Sequence, residues 1–480
     1  MNSQKAIDAL QRVLPSSQFA LKGTEKYKTL NTETYQSGLN IDLLPACIFQ
    51  PRSAKDVSIF VQTIKPFVLG GDTAFAIVGG GRQPAPGCSN IQDGITLNLG
   101  LLTGIVIKDG SVSVGAGERW GPVYDKLGEL GLACSGSRSS KGGIGGLALA
   151  GGLSFFSSRR GFICDEVLEY EVVLASGDIV TANETSNTDL WHALRGGGNN
   201  FGIVTRYEIR TFEQGQLYGG SIYYQAAEFP SQIEALVSEL QKPDASYDTH
   251  LMMSLGYAAA FGPEPVGMNQ MYYTRAVEKP PVLEPFTSLK TQIGDLNTMR
   301  MLSLPEAAGE QHGDVPALQR SAYMNVTVKA HVDTLLAGAE IWKAALDPVK
   351  NCEGLICSYT LQPYPKSLLE VSMTKGGNSL GLDPSLGPVV TIALLMYWAS
   401  KSDDDAILGT FRTAIEKIKQ DSISKGQAVD HIYMNYSFTF QDPIGSYGAE
   451  NTEKMRRVSK RVDPDGLFQK GVPGGWKLFA

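Results

Sequence analysis

Two glycine-rich segments carry the residue types best suited to holding a phosphate-containing ligand. The first follows the apolar run Phe75–Val78 and reads Gly79-Gly-Gly-Arg-Gln-Pro-Ala-Pro-Gly-Cys-Ser-Asn90, and the second reads Ser135-Gly-Ser-Arg-Ser-Ser-Lys-Gly-Gly-Ile-Gly-Gly146. Successive glycines let backbone N–H groups converge on an anion, and Ser and Arg side chains add donors. Tight structural turns would use the same residues, and neither segment matches a Walker A loop or a GxGxxG fingerprint. Together they predict a pyrophosphate site outside the common nucleotide-binding folds.

The elements around these segments are those of a mixed helix and strand protein. Apolar and polar residues alternate over 95–99, which predicts a half-buried strand. Asp109-Gly110 between two apolar runs predicts a hairpin with a type I′ turn, and a second hairpin is predicted between 169–174 and 179–180. Residue spacing predicts helices at 120–130, 231–240 and 404–418, and strands at 220–224 and 389–396. Because helices and strands do not alternate regularly, the predicted fold class is α+β.

Composition divides the chain into two parts. Of the 53 glycines, 28 fall between Gly70 and Gly202, whereas every methionine after Met1 lies at Met252 or later. Glycine permits tight turns and close backbone approach, while methionine suits an adaptable interior. We therefore expect a domain boundary near 211–220, with the C-terminal segment returning to the first part.

Length, charge and cysteine content exclude several classes of protein. The 480 residues predict two or three domains, and the formal net charge of -7 argues against a nucleic-acid partner. No apolar run is long enough to span a membrane and no signal segment follows Met1, so we expect a soluble, cytoplasmic protein unless a signal was trimmed. Six cysteines without CxxC pairs and five scattered histidines predict no metal site. The cysteines are expected to be free thiols, with Cys352–Cys357 as the candidate disulfide.

Further motifs extend over almost the whole chain and carry a family resemblance. They are Pro45-Ala-Cys-Ile-Phe-Gln-Pro51, the 79–90 and 142–152 segments, Gly161-Phe-Ile-Cys-Asp165, Leu194-Arg-Gly-Gly-Gly-Asn-Asn-Phe-Gly-Ile-Val-Thr205, Gly376-Gly-Asn-Ser-Leu-Gly-Leu-Asp383, Tyr433-Met-Asn-Tyr436, Gly445-Ser-Tyr-Gly448 and Val462-Asp-Pro-Asp-Gly-Leu-Phe468. In combination they resemble the fungal branch of the berberine bridge enzyme-like oxidases, within the vanillyl-alcohol oxidase superfamily.

The resemblance implies FAD as the cofactor and a two-domain PCMH-type FAD-binding fold. It implies an FAD-binding domain at 40–213 and a substrate-binding domain at 214–430, an antiparallel sheet backed by helices, with the substrate over the isoalloxazine ring. A C-terminal segment at 431–480 should return to the FAD domain. The residues expected to bind FAD are Gly79, Gly80, Gly81, Arg82, Gln83, Gly87, Cys88, Ser89, Gly136, Ser137, Ser139, Ser140, Gly143, Ile144, Gly145, Gly146, Gly151, Gly152, Ile203, Val204 and Asn435.

Departures from the family bear on how FAD is held. Family members commonly attach the flavin through a His after the double glycine and, in many, through a Cys in the second loop; those positions carry Arg82 and Ser139 here. Neither side chain forms such a bond, and Cys88 and Cys134 lie elsewhere, so we expect non-covalent FAD. Without the tethers the flavin should be a weaker oxidant, and a scaffold role is then an alternative to a redox role. Gly142 falls where relatives place a side chain thought to control oxygen access, which favours reaction with O₂.

Three residues are the candidates for catalysis. Tyr436 survives from the family pattern, and because a phenol beside a cation titrates lower, Tyr436 paired with an arginine could act as a general base. The alternative is that Tyr436 only packs or forms a hydrogen bond. Arg160, which replaces a family tyrosine, and Asn378 are the other two candidates. Two residues beyond Asn378, where plant relatives have a carboxylate or amide, Leu380 stands here.

These features predict FAD-dependent oxidation of a secondary-metabolite-like small molecule, with hydride transfer to flavin N5 and reoxidation by O₂. We expect a hydrophobic or aromatic substrate, because bulky residues at Met252-Met253, Met271-Tyr272-Tyr273 and Tyr323-Met324-Asn325 lie on predicted strands that are mostly core but could line a pocket on one face. The alternatives are a redox-neutral isomerase or cyclase that keeps FAD as a scaffold, and a binding protein without turnover. A monomer or weak homodimer is expected.

Overall fold

The computed structural model describes residues 3–310 and 319–479, whose strands form three sheets. The first sheet contains β1 (Phe19–Leu21), β2 (Cys47–Phe49), β3 (Phe75–Val78) and β4 (Ile95–Asn98). β1 is antiparallel to β2, whereas β2 and β3 each pair with β4 in parallel. All four residues of β4 are buried, so the prediction of a half-buried strand at 95–99 is wrong. The alternation is misleading because the Thr96 hydroxyl donates to the Asn90 side-chain oxygen at 2.8 Å and needs no water.

A helix at Ala54–Leu69 joins β2 to β3 and covers this sheet. Phe60 stacks against Phe49 and meets Phe75 edge-on, with ring centroids 5.5 and 5.6 Å away. Phe75 also contacts Phe468 of the C-terminal segment, at 6.4 Å between centroids. Residues three and four positions apart therefore form one buried face, as expected of an amphipathic helix: Val57, Phe60, Val61, Ile64 and Val68.

The second sheet is antiparallel. It contains β5 (Ile105–Lys108), β6 (Ser111–Gly115), β7 (Leu132–Cys134), β8 (Val167–Val173), β9 (Ile179–Asn183) and β10 (Ile203–Glu213). The strand order is β5-β6-β10-β8-β9, and β7 pairs with the distal end of β10. Both predicted hairpins, β5–β6 and β8–β9, are confirmed. The first turn is not type I′, because Gly110 has a φ of 71° while Asp109 does not take a positive φ.

The third sheet is antiparallel throughout. It contains β11 (Leu217–Gln225), β12 (Thr249–Ala258), β13 (Val266–Tyr273), β14 (Arg300–Leu302), β15 (Arg320–Lys329), β16 (Ile356–Tyr364), β17 (Val389–Trp398) and β18 (Ala428–Val429). Their order is β14-β11-β13-β12-β16-β17-β15-β18. The chain passes from the second sheet to the third between Glu213 and Leu217, inside the segment where a boundary was predicted.

Helices pack around all three sheets. One large cluster of buried side chains joins the first two sheets with the C-terminal segment, and another joins the third sheet with its helices. This arrangement confirms the predicted α+β class, with an antiparallel sheet backed by helices. The helices are Gln4–Val13, Glu25–Glu33, Gly38–Ile41, Ala54–Leu69, Trp120–Gly128, Gly145–Leu149, Ser157–Arg160, Thr188–Leu194, Phe229–Gln241, Glu284–Thr287, Leu304–Glu310, Val332–Leu346, Lys366–Thr374, Asp404–Ser424, Ala449–Val462 and Leu467–Lys470.

The C-terminal helices contact the first part of the chain. Arg461 forms an ion pair with Asp189 at 2.7 Å, and the Gln469 amide donates to the Asn200 side-chain oxygen at 3.0 Å. All six cysteines are free thiols, so the candidate disulfide is not formed. Within 3–310 and 319–479, no helix combines the length and apolar character that a membrane span requires.

Candidate active site

The two glycine-rich segments meet backbone to backbone. A Cβ built on Gly80 would lie 2.7 Å from the Gly143 Cα, and one built on Gly143 would lie 2.5 Å from the Gly80 Cα. Since carbon atoms in contact stay about 3.5–4.0 Å apart, only glycine fits at either position. The segments reach this contact from the ends of β3 and β7, where Val78 and Cys134 are fully buried in the core.

An arginine from outside both segments holds them together. Arg119 donates through Nη1 to the carbonyl oxygen of Gly80 at 2.6 Å and to that of Lys141 at 2.9 Å. Arg82 donates through Nε to the same Lys141 oxygen at 3.3 Å. Burial, and then the charge of Arg82, lower the pKa of Arg119 to about 10, so both side chains remain cations at neutral pH.

A cavity of about 720 Å³ lies between these segments, the third sheet and the C-terminal segment. Its volume falls within the roughly 300–1,000 Å³ that is usual for ligand pockets. Most of the residues predicted to bind FAD line this cavity. They are Gly79, Gly80, Gly81, Arg82, Gln83, Cys88, Ser89, Ser137, Ser139, Gly143, Gly145, Gly146, Ile203, Val204 and Asn435.

The chemistry of this lining fits FAD. The buried Ser89 hydroxyl has no hydrogen-bond partner among the described residues, so a donor or acceptor is left for a ligand. Arg82, Arg138 and Lys141 line the cavity, and none of the described lining residues is an aspartate or glutamate. A diphosphate would therefore meet cations and bare backbone, while apolar side chains such as Trp476 are available to a ring system.

Six predicted cofactor residues are outside the lining of this cavity, and their contact with FAD stays a prediction. A Cβ on Gly136 would lie 2.2 Å from the Trp120 ring, and Gly151, with a φ of 92°, lies against Leu380. The Ser140 carbonyl accepts a hydrogen bond from the Gly121 N–H at 2.9 Å. Close packing at Gly136 and a left-handed backbone at Gly151 favour glycine whether or not a ligand is bound. The six residues are Gly87, Gly136, Ser140, Ile144, Gly151 and Gly152.

On the side of the cavity formed by the third sheet, Tyr436 is bonded to an arginine. Arg138 donates through Nη2 to the Tyr436 Oη at 2.7 Å, and through Nη1 to the Gln362 Oε1 at 2.7 Å. Nη1 also lies 3.3 Å from the His250 Nε2. A guanidinium cannot accept a hydrogen bond, so His250 Nε2 accepts and the neutral ring carries its hydrogen on Nδ1. Burial and the charge of Arg138 hold the pKa of His250 well below its usual range.

Other tyrosines fix the ring of Tyr436. Tyr433 and Tyr323 meet it edge-on, with ring centroids 5.2 and 5.9 Å away. The Tyr323 hydroxyl lies 2.6 Å from that of Tyr397 and accepts a bond from the Gln36 amide at 2.8 Å. All five residues line the cavity, which therefore has an aromatic wall with hydroxyl groups.

The structure does not bring Arg160 and Asn378 to this cavity, and their catalytic role stays a prediction. Arg160 forms an ion pair with the fully buried Glu166 at 2.8 Å and lies 4.1 Å above the Phe212 ring. Asn378 donates to the Asp165 carboxylate at 2.9 Å. Neither lines the cavity. Their polar groups are instead bound to buried carboxylates, which fixes the structure beneath the site.

Sequence reasoning missed part of the site. Arg138 lies within the second glycine-rich segment, where its charge in a segment without acidic residues was the available signal. Gln362 and Gln36 belong to distant parts of the chain and gave no signal. Of the bulky residues predicted on strands, Met252 and Tyr323 line the cavity, whereas their neighbours Met253 and Met324 are buried in the core. Met271, Tyr272 and Tyr273 do not line it.

No group of three His, Cys, Asp or Glu side chains that could hold a metal ion occurs in the part of the chain that the structure describes. His312 lies outside the described residues.

Comparison with known proteins places this geometry in a family. Residues 45–183 match the model of the FAD binding domain. FAD-dependent monooxygenase FUP4 of Fusarium proliferatum (strain ET1) is 35% identical over 448 residues, covering 91% of this chain and 85% of that relative. FAD-dependent monooxygenase tpcD of Cochliobolus heterostrophus is 34% identical over 446 residues, covering 90% of this chain and 85% of that relative.

Solved structures share the fold. Physcomitrella patens BBE-like 1 superposes with a TM-score of 0.77 at 19% identity, covering 96% of this chain and 97% of that one. The xylooligosaccharide oxidase from Myceliophthora thermophila C1, solved with xylobiose, gives 0.76 at 21% identity with the same coverage. Fold and cavity thus agree with the match to the FAD binding domain. The chain belongs to the family of these fungal FAD-dependent monooxygenases and has the fold of the berberine bridge enzyme-like structure described above.

Proposed function

We propose that this protein oxidises a small hydrophobic or aromatic metabolite in an FAD-dependent reaction, with Tyr436 as the general base. The observation that carries this proposal is the 2.7 Å bond from Arg138 Nη2 to Tyr436 Oη, inside a cavity whose other wall is the paired glycine segments. When bound, FAD would supply the hydride acceptor and the route of electrons to O₂. All other steps fall to the side chains of this protein.

The glycine segments would hold the cofactor without a covalent bond. The groups available to it are Ser89, the backbone of 79–81, 142–143 and 145–146, and the cations of Arg82 and Lys141. Cys88 is the cysteine that lines the cavity among the described residues. Because burial raises the pKa of its thiol to about 11, Cys88 would remain protonated at neutral pH and would not react with the flavin. Residues 40–213 together with 431–480 would form the FAD domain, and 214–430 the substrate domain.

The role of Arg138 toward Tyr436 follows from what each group can donate. The guanidinium has only donors, so its bond occupies a lone pair of Oη and stabilises negative charge on that oxygen. As the phenolate, Tyr436 would take up a proton from a substrate hydroxyl or acidic C–H while hydride leaves the same molecule. The edge-on contacts with Tyr433 and Tyr323 would keep Oη in place during this transfer.

Anaerobic mixing of the FAD-loaded protein with a substrate tests this function. Candidate substrates come from metabolites that accumulate when the gene is deleted. Loss of the flavin absorbance near 450 nm, followed by its return when air is admitted, is the expected result. Product formed without any bleaching would instead establish the redox-neutral isomerase or cyclase, and binding without product would establish a binding protein.

Monooxygenation is the second candidate, because both fungal relatives described above are named FAD-dependent monooxygenases. It differs from simple oxidation in the destination of oxygen. Turnover under ¹⁸O₂ with mass spectrometry of the product distinguishes the two: incorporated ¹⁸O supports monooxygenation, and an unlabelled product with labelled hydrogen peroxide supports the oxidase.

A further inference from the structure

We propose that the substrate presents an anionic oxygen to the cavity, as a carboxylate or as the ionised oxygen of an acidic enol or phenol, and that Arg138 binds it. This inference rests on the proposed function because it names the substrate class of the same site. Its first support is charge. Arg138 is partly buried, lines the cavity and forms no ion pair with any Asp or Glu that the structure describes.

No carboxylate is among the described groups that contact Arg138. Gln362 contributes an amide oxygen, Tyr436 a phenolic oxygen, and His250 a neutral imidazole because its Nε2 accepts from the guanidinium. The fourth contact is the Met252 sulfur at 3.6 Å. A partly buried cation without a carboxylate partner gains from an opposite charge brought by a ligand. The whole chain has a net charge of -7, so the positive charge in this cavity is opposite in sign to that of the protein as a whole.

The second support is geometry. An arginine has five N–H donors, and here Nη1 is directed to Gln362 and His250 while one N–H of Nη2 is directed to Tyr436. The Nε–H has no partner among residues 3–310 and 319–479. It lies parallel to one N–H of Nη2 on an edge of the guanidinium, the edge that binds a carboxylate or a pair of neighbouring oxygens in bidentate fashion.

The side chains around Arg138 indicate what the rest of the substrate is like. Met252, Leu395 and the rings of Tyr323 and Tyr397 line the same cavity and offer an apolar, polarizable wall. An anionic oxygen on an aromatic or unsaturated ring would therefore place its charge on Arg138 and its body against these side chains. The adjacent Tyr436 Oη would then be in position to exchange a proton with the same molecule.

Calorimetric titration of the FAD-loaded protein tests the inference without turnover. Two matched pairs of probes separate the sources of the charge: benzoate against benzamide, and cyclohexane-1,3-dione, which is an enolate at neutral pH, against cyclohexanone. We expect at least one anion to bind about tenfold or more tightly than its neutral partner, as a charge-assisted bidentate contact requires. Arg138→Gln should abolish this preference, and Arg138→Lys should retain part of it.

Arg412→Gln is the matched control, because this variant removes one positive charge from the exposed helix Asp404–Ser424 and should leave the preference unchanged. Equal binding of each anion and its neutral partner would overturn the inference. A preference for the anion that survives Arg138→Gln would also overturn the inference. If that variant loses FAD binding but keeps the preference, Arg138 serves the cofactor and the inference is again overturned. If Arg138→Gln does not fold, the wild-type ratios and Arg138→Lys decide the matter. The anaerobic bleaching experiment reports separately on the proposed oxidation.

Discussion

The contact between Gly80 and Gly143 makes Gly143→Ala the sharpest test of how the cofactor site is built. The added Cβ would lie 2.5 Å from the Gly80 Cα and 2.7 Å from the Gly80 nitrogen, and both are backbone atoms that cannot rotate away. Restoring a contact distance of about 3.5 Å requires the segments to separate by about 1 Å. Neither glycine has a positive φ, so alanine introduces no conformational strain and the effect is purely steric.

The size of the effect follows from this displacement. Overpacking of a close contact costs about 1–3 kcal/mol. Without FAD, the two glycine-rich segments can move apart to relieve the clash. Because FAD binding must bring them together again, we expect the cost of overpacking to weaken the affinity for FAD. Because each 1.4 kcal/mol is roughly tenfold in an equilibrium constant, the dissociation constant of FAD should rise about 5- to 150-fold.

Fluorescence titration of the cofactor-free protein with FAD measures this constant, and thermal unfolding checks that the variant is folded. Gly128→Ala is the control, because a Cβ on Gly128, in the helix Trp120–Gly128, would meet only the Pro305 Cγ at 4.0 Å, an ordinary contact. It should bind FAD as the wild type does. A folded Gly143→Ala variant with wild-type affinity would refute the account of the segments as a cradle, and an equal loss in Gly128→Ala would show that any added methyl group has this effect.

Three further outcomes are expected. Tyr436→Phe removes the oxygen that accepts from Arg138, so turnover should fall at least about tenfold with FAD content unchanged, and an unchanged rate in steady-state assays would remove Tyr436 from the mechanism. Acid precipitation should leave the yellow colour in the supernatant, because neither Arg82 nor Ser139 can tether the flavin; a yellow pellet after washing would contradict non-covalent binding. Burial lowers the pKa of His431 from 6.5 to about 4. Between pH 6.5 and about pH 4 the unfolded chain therefore binds more protons than the folded protein. The free energy of unfolding should fall by up to roughly 3 kcal/mol as the pH is lowered through this range. His431→Leu should lose this part of the acid dependence of Tm, and superimposable pH profiles of the two proteins would show that His431 does not cause it.

The glycine segments could be predicted from sequence because close backbone approach is encoded locally. Gly80 and Gly143 must lack a Cβ wherever the rest of the chain lies, and runs of glycine reveal this requirement. The strand at 95–99 shows the limit of local patterns. The alternation there was real, but Thr96 is satisfied by Asn90 inside the protein, so polarity did not mean exposure.

The catalytic residues could be predicted only in part, because their roles depend on contacts between distant parts of the chain. Arg160 was placed at the site by resemblance, yet the buried Glu166 carboxylate binds its guanidinium and keeps it away. Arg138 contacts Tyr436 at a place where strands of the third sheet also present Gln362 and His250 to its guanidinium. Each of these three partners is more than a hundred residues away from Arg138 in the sequence. No local motif encodes such a meeting.

The second glycine-rich segment would couple the recognition of cofactor and substrate, because both proposed sites use it. Gly143 belongs to the proposed cradle for the cofactor, and Arg138, five residues earlier, forms the positive end of the proposed substrate site. Hydrogen bonds of this type lie between about 2.7 and 3.2 Å, so the two 2.7 Å bonds of Arg138 tolerate little movement of the segment. A cofactor that sets the spacing of the segments therefore also sets the position of the guanidinium. Loading the protein with FAD would thus complete the substrate site, which explains why one short segment can serve both molecules.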